Sequence, residues 1–392
     1  MPSLAPYFVY QALANTSFFQ AVFMVFYQER AGLSLATVLW VQTYFMVLRA
    51  LLDVPFGVVA DRTSRRLCLM VGMLLPALAA GLLVWSPTLA MVVVAETLFA
   101  AGTALRSGAD SALLYDLLKD AGRLDAYPHA ESRGQGAAAL ASGTTAVLGA
   151  MLAASDMRLP YVVTGVTAAW AAMVALRLPI DRHPHQPHEH EHGPMRAAAR
   201  LASGSPQLVW SIALAAFAVS TSHVYYYLQQ PYWRALGVPL GTFGLVFAAT
   251  KLVTALVATR AARVDEALGS RGATTIMTLV GVLGLGAMSM ATSPVGALLV
   301  LTRGFLDGLW MPLTNVWVNR LVPSRLRATM LSLQSLVARL ALSGVLALAG
   351  IGTARIGLGP TLGCAAVVVA LVGAALVASA PRLPERSRVI AE

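Results

Sequence analysis

The chain has 392 residues, of which 57% are hydrophobic and 12% charged, with a mean hydropathy of +0.69. A water-soluble domain carries about a quarter charged residues, so this composition excludes one and sets most of the surface against lipid. The net charge of +10 does not require a nucleic acid, because its placement follows the topology of the apolar runs.

Apolar runs near the roughly 20 residues that a helix needs to cross hydrocarbon recur along the whole chain. They predict twelve transmembrane helices at 6–28, 36–60, 67–85, 88–112, 137–155, 159–178, 206–228, 239–261, 273–292, 295–320, 329–352 and 357–380. None alternates apolar with polar residues as a barrel strand does, and helices are the other way to satisfy the backbone in lipid. The first run follows a few uncharged residues and continues past signal-peptide length, so no cleavable leader is expected. Cys68 and Cys364 lie in different runs, without disulfide or metal spacing, and read as small buried apolar residues. With both termini inside, only Arg30, Arg158, Arg234 and Arg355 fall outside, and Arg49, Arg106, Lys251, Arg303 and Arg339 fall within helices. The rest of the 28 basic residues are then cytoplasmic, which is the positive-inside pattern. Lys119 and Lys251 are the only lysines, a bias that with the high alanine content suggests a GC-rich bacterial genome. The expected location is therefore a bacterial inner membrane.

The longest polar stretch, 179–205, divides the runs six and six. The expected domains are residues 1–178, a cytoplasmic linker 179–205, residues 206–380 and a cytoplasmic tail 381–392. Internal repetition supports the division. Gly32-Leu33-Ser34-Leu35-Ala36-Thr37 is matched by Gly237-Val238-Pro239-Leu240-Gly241-Thr242, each just before an even-numbered helix, and Arg106 with Asp110 is echoed by Arg303 with Asp307. The linker holds His183, His185, His188, His190 and His192 among prolines and glutamates. Imidazoles at that density can hold zinc, nickel or copper, although the composition also fits a tether that binds metal incidentally.

Between helices 2 and 3 the chain reads GVVADRTSRR, with Gly57, Asp61, Arg62, Arg65 and Arg66. A glycine there permits close helix approach, and the basic cluster anchors the turn at an anionic leaflet. Asp61 could take helix N-terminal amides or an arginine and so latch two bundles. A topology-setting basic loop would explain the arginines but not Gly57 and Asp61 at this spacing. The loop, the twelve runs and the central linker together resemble the major facilitator superfamily over essentially the whole chain. The family pattern is Gly-x-x-x-Asp-Arg-x-Gly-Arg-Arg or Lys, from which only Ser64 departs. The corresponding loop of the second half, ATRAARVDEALGSRG, is degenerate, and residues 322–329 before helix 11 also look like family sequence. The resemblance implies two pseudo-symmetric six-helix bundles rocking about a central cavity, with the loop aspartate steadying the outward-open state through the start of helix 11. Arg106 followed by Gly108 looks like the helix 4 motif of proton-coupled members. The glycine and proline pair that marks many exporters in helix 5 is not evident, since Gly143 and Gly149 stand there without proline.

An ionised side chain near mid-bilayer costs about 2.5 to 3.5 kcal/mol on insertion scales, so each one needs an interior position or a partner. The pairs Arg49 with Asp53, Arg106 with Asp110 and Arg303 with Asp307 share a spacing of one helical turn, which neutralises charge on one face. Asp53, Glu96 and Asp307 are the proton-coupling candidates, since burial penalises a carboxylate and a nearby cation restores it. Asn15, Arg49, Lys251, Arg303, Trp310 and Arg339 are the substrate-cavity candidates, and the excess of bases there suits an anionic or zwitterionic solute. Gln11, Gln20, His223 and Gln230 add polar groups to helices 1 and 7, while Tyr225, Tyr226 and Tyr227 read mainly as interfacial anchors.

These observations predict a monomeric, proton-coupled secondary transporter of a small organic solute, working by alternating access, with export favoured over import. Lipids, protons and the solute are its expected partners. No enzyme activity and no cofactor are expected, the proton gradient supplying energy. The alternatives are a metal or metal-chelate transporter using the histidine linker, with Met288 and Met290, and a non-transporting sensor or scaffold of the same fold. No phosphate-binding loop or metal-protease helix motif is present to suggest a primary pump or zinc enzyme.

Overall fold

The computed structural model describes residues 4–179, 193–323 and 326–381, apart from the side chains at positions 54, 58, 61, 62, 193–195 and 328. Among these residues there is no strand. The outer surface is apolar, with Leu140 74% and Leu283 69% exposed, while polar groups such as Gln11, Gln42, Glu96, Gln229 and Arg303 are buried. That inversion of the soluble pattern is expected where lipid is the solvent.

The chain forms two units: residues 1–188 with 239–248, and residues 189–238 with 249–392. In the first unit α1 (Ala5–Ala14), a 3-10 turn (Phe18–Ala21) and α2 (Phe23–Glu29) make up the first run, bent by 46°. The residues Asn15, Thr16 and Ser17 cause the break. Asn15 Nδ2 bonds the Gln11 carbonyl at 2.8 Å and Thr16 Oγ1 the Leu13 carbonyl at 2.7 Å, so side chains take the acceptors that a continuing helix would use. The amides freed by the break find hydroxyls on neighbouring helices, Ser17 N on Thr145 Oγ1 at 3.2 Å and Phe18 N on Thr164 Oγ1 at 3.1 Å. Thr16 Oγ1 also bonds Thr167 Oγ1 at 2.8 Å.

The first unit continues with α3 (Leu35–Arg62), α4 (Arg65–Trp85), α5 (Leu89–Arg106), α6 (Ala109–Asp120), α7 (Tyr127–Ser155) and α8 (Leu159–Ala175). α4 packs on α5 and α8, α3 on α5, and α1 on α7 and α8. Small residues let the backbones close in: a Cβ on Gly102 would meet the Gly72 carbonyl oxygen at 2.8 Å. A Cβ on Gly149 of α7 would fall onto the Phe18 carbonyl at the break.

The second unit contains α9 (Gly193–Ser203), α10 (Pro206–Ala235), the part of α11 (Phe243–Ala258) beyond Ala248, α12 (Ala261–Met290), a 3-10 stretch (Pro294–Val300), α13 (Leu301–Leu321), α14 (Arg327–Ile356) and α15 (Leu358–Ala378). α12 packs on α15 and α13, and α10 on α14 and α13. The matched hexapeptides share their turn geometry, with Gly32 at φ +65 and Gly237 at φ +73, a left-handed conformation that only glycine takes without strain.

Among the described residues nine helices are long and apolar enough to cross a membrane, or ten if the bent first pair counts as one. Two further predicted spans are helical without meeting that measure. α8 has 17 residues, and α13 carries Arg303, Asp307 and Arg320. Three local expectations change. The predicted linker includes helix α9, whose Ala198 and Ala202 are buried with Leu208, Ile212 and Met330. The second-half loop is also helical: residues from Ala261 form a turn that breaks only at Gly269, φ 60. Cys68 is buried as expected, but Cys364 is exposed on α15, where an apolar outer face accommodates a thiol as readily as a core does.

Candidate functional site

Each unit carries its own set of polar groups inside apolar helices. In the first unit Glu96, on α5, is 6% exposed. Its Oε1 accepts from the Tyr27 hydroxyl of α2 and from Gln42 Nε2 of α3, both at 2.8 Å. Both donors are neutral, so Glu96 is a buried carboxyl held by hydrogen bonds rather than by a salt bridge.

A second group joins α1 to α6. Gln11 Nε2 donates to Asp110 Oδ2 at 3.2 Å and to the Tyr7 hydroxyl at 2.9 Å, and Asn15 Nδ2 reaches Gln11 Oε1 at 3.2 Å. Asp110 also accepts from the amide of Ser111 at 2.9 Å, whose hydroxyl bonds Glu131 at 2.9 Å. Arg106 and Asp110 do not share a helical face. α5 ends at Arg106, Gly108 takes φ 79 and α6 starts afresh, so the one-turn register fails and no ion pair joins the two among the described residues. Arg49 and Asp53 do lie on one uninterrupted stretch of α3, both half-buried, and each is engaged in polar or electrostatic contacts.

In the signature loop Gly57 stands in α3 with open space where a Cβ would be. Arg65, at the start of α4, pairs with Asp116 of α6, and Arg66 Nη1 bonds the Leu178 carbonyl at 3.3 Å. The side chains of Asp61 and Arg62 lie outside the described residues. The second unit has an ion pair of opposite sense: Asp265, on the turn before Gly269, accepts from Arg320 at 3.0 Å and from Trp317 Nε1 at 2.8 Å. Asp265→Asn is expected to lower stability by about 2 kcal/mol, the worth of a charge-assisted hydrogen bond. A reduced melting temperature in detergent checks it, with a less than additive loss in the double variant with Arg320→Gln.

The richest group lies in the second unit. Ser222, Tyr226 and Gln229 recur at helical spacing on α10, and Arg303, Asp307 and Trp310 do the same on α13. Asp307 Oδ1 accepts from the Ser222 hydroxyl and, at 3.2 Å, from Trp310 Nε1. Its Oδ2 lies 3.4 Å from Arg303 Nη2. Arg303 Nη1 reaches Gln229 Oε1 at 3.5 Å, and the guanidinium carbon sits 4.8 Å over the Tyr226 ring, a cation–π contact. His223 bonds the Val219 carbonyl through Nδ1 at 2.8 Å. Lys251, exposed on α11, interacts electrostatically with Arg303 and Asp307.

The structure thus brings together Lys251, Arg303, Asp307 and Trp310, and separately Asn15 with Asp110. Glu96 stands apart with Tyr27 and Gln42, and Arg339 lies half-buried on α14. Sequence reasoning missed Tyr27, Gln42, Ser222 and Gln229, although the spacing of Ser222, Tyr226 and Gln229 was a usable signal. Tyr225 and Tyr227 are not interfacial anchors. They are 0% and 3% exposed, and the Tyr225 hydroxyl donates to the Gly281 carbonyl at 3.1 Å, because a phenol inside an apolar bundle needs an acceptor. His183, His185, His188, His190 and His192 lie outside the described residues. Among the described residues no group of three or more His, Cys, Asp or Glu side chains could hold a metal ion.

The fold is similar to that of solved transporters. A variant of the nucleoside transporter NupG aligns with a TM-score of 0.80 at 11% identity, covering 96% of this chain and 98% of that one. A POT family transporter in complex with 5-aminolevulinic acid aligns with a TM-score of 0.72 at 12% identity, covering 96% and 95%. A bacterial homolog of the human lysosomal transporter Spinster, inward-facing and occupied, gives 0.67 at 15% identity, covering 96% and 93%. No curated protein matches the sequence. The family profile of the Major Facilitator Superfamily matches residues 7–347, most of the chain and all of the polar groups described above. A multi-pass helical membrane protein with these two units, and a transporter rather than an enzyme, the chain belongs to the Major Facilitator Superfamily.

Proposed function

We propose that this chain is a proton-coupled secondary transporter that exports a small organic solute by alternating access. It acts as a monomer in a bacterial inner membrane with both termini cytoplasmic. The observation that carries the coupling is Glu96. A carboxylate buried with two neutral donors is costly to keep charged without a cation, so proton uptake and release there change the energy of the unit substantially. The Asp307 carboxyl, 3.4 Å from Arg303 on α13, is the acidic group of the second unit that we assign to the same role. The small organic cargo is supported by the kinds of solute named for the structural relatives, a nucleoside and 5-aminolevulinic acid.

The experiment is solute-dependent proton movement in sealed vesicles of purified protein, followed with a trapped pH indicator across a broad panel of small organic compounds. At least one compound is expected to drive proton flux that a protonophore abolishes. Flux in inside-out but not right-side-out vesicles fits export. No solute-dependent flux in either orientation would overturn coupled transport and favour a sensor or scaffold.

A further inference from the structure

The polar group of the second unit has more donors than acceptors. Gln229 is 0% exposed and Arg303 5% exposed, and among the described residues neither Gln229 Nε2 nor Arg303 Nε has a hydrogen-bond partner. The contacts that Arg303 does make are long, 3.4 Å to Asp307 and 3.5 Å to Gln229, at or beyond the usual range for such donors. Asp307 does not reach these two donors: its Oδ1 accepts from Ser222 and Trp310, and its Oδ2 lies against Arg303 Nη2 rather than Nε. Buried donors left without acceptors are rare in folded proteins and mark a place for a ligand, water or ion.

The geometry points to a carboxylate-binding subsite at Arg303 and Gln229, so that the solute is an organic carboxylate. A planar carboxylate offers two acceptor oxygens matched to a guanidinium edge. The Tyr226 ring under the guanidinium and the indole of Trp310 supply apolar walls for the rest of the solute. This inference rests on the transport reading for its biological meaning, but binding itself requires neither a gradient nor flux.

Gln229→Glu tests it without a ligand, by placing a carboxylate beside Arg303 in a side chain of nearly equal shape. The variant is expected to melt at a higher temperature in detergent than the unaltered protein, while Gln229→Leu does not. A lower melting temperature for Gln229→Glu would overturn the proposal. The second arm measures equilibrium binding of benzoate and N-acetylphenylalanine, and of their amides, to the full chain by thermal shift. At least one acid is expected to bind about tenfold or more tighter than its amide, as loss of a charge-assisted pair implies. Gln229→Glu, which fills the site itself, is expected to lose that preference. Acids and amides binding alike, or neither acid binding, sinks the subsite. Carboxylate-selective binding without any solute-driven proton flux leaves the subsite standing and removes the coupled-transport reading instead.

Discussion

Glu96→Gln is expected to reduce transport driven by a pH gradient to the level of protein-free vesicles while leaving solute exchange at equal pH intact. Glutamine has nearly the same shape, and its carbonyl oxygen can still accept from Tyr27 and Gln42, the two donors at 2.8 Å. The fold is therefore preserved, and what is lost is the ability to gain and lose a proton. Glu96→Leu removes the acceptor as well, stranding a hydroxyl and an amide, each at a cost of about 1–3 kcal/mol. That variant is expected to melt lower, whereas Glu96→Gln melts close to the unaltered protein. The contrast separates coupling from stability. Gradient-driven transport that survives Glu96→Gln would place the coupling proton elsewhere, with Asp53→Asn and Asp307→Asn as the next variants to assay.

Gly149→Ala is expected to be among the most damaging single-methyl changes in the chain. The added Cβ falls onto the backbone carbonyl of Phe18, and a backbone oxygen cannot rotate aside as a side chain can. Either α7 moves outward or the 3-10 turn is pushed off the Thr145 and Thr164 hydroxyls that hold it. Overpacking of this kind costs about 3 kcal/mol or more when backbone must shift. Gly143→Ala, on the same helix with nothing within 4 Å of the new methyl, is the control. It is expected to be neutral or to stabilise by up to about 1 kcal/mol through helix propensity. Melting temperatures of the purified variants decide the matter, and equal values for the two would remove the close approach as the explanation.

Much of the architecture is legible in the sequence because lipid imposes a length and a composition on each crossing. α4 and α15, long and apolar with short polar flanks, can be read directly. α13 is harder, since Arg303, Asp307 and Arg320 interrupt its apolar run, and its place in the repeat adds the support that its composition lacks. The break in the first run has a local cause in Asn15, Thr16 and Ser17, but its support comes from threonines more than a hundred residues away, which no local pattern supplies. The same limit applies to function. The pair Arg303 and Asp307 follows from a four-residue spacing, and the structure bears it as an ion pair. The identical spacing misleads at Arg106 and Asp110, because Gly108 interrupts the helix between them. Partners across space, such as Gln42 and Tyr27 for Glu96, depend on how helices pack and carry no sequence register to read.

The interrupted first helix has a mechanical consequence. A backbone carbonyl is a fixed acceptor, so a bond to it persists only while two helices keep their register. A threonine hydroxyl rotates about its own carbon and offers two lone pairs, so an amide resting on it can tilt or slide without being stripped bare. Where the first run breaks, Thr145, Thr164 and Thr167 behave as three swivels fixed to neighbouring helices, and Gly149 beside them keeps the clearance to a minimum. The segments on either side of Thr16 are thereby attached to the unit through hydroxyls that can follow a change in direction, rather than through backbone acceptors that cannot.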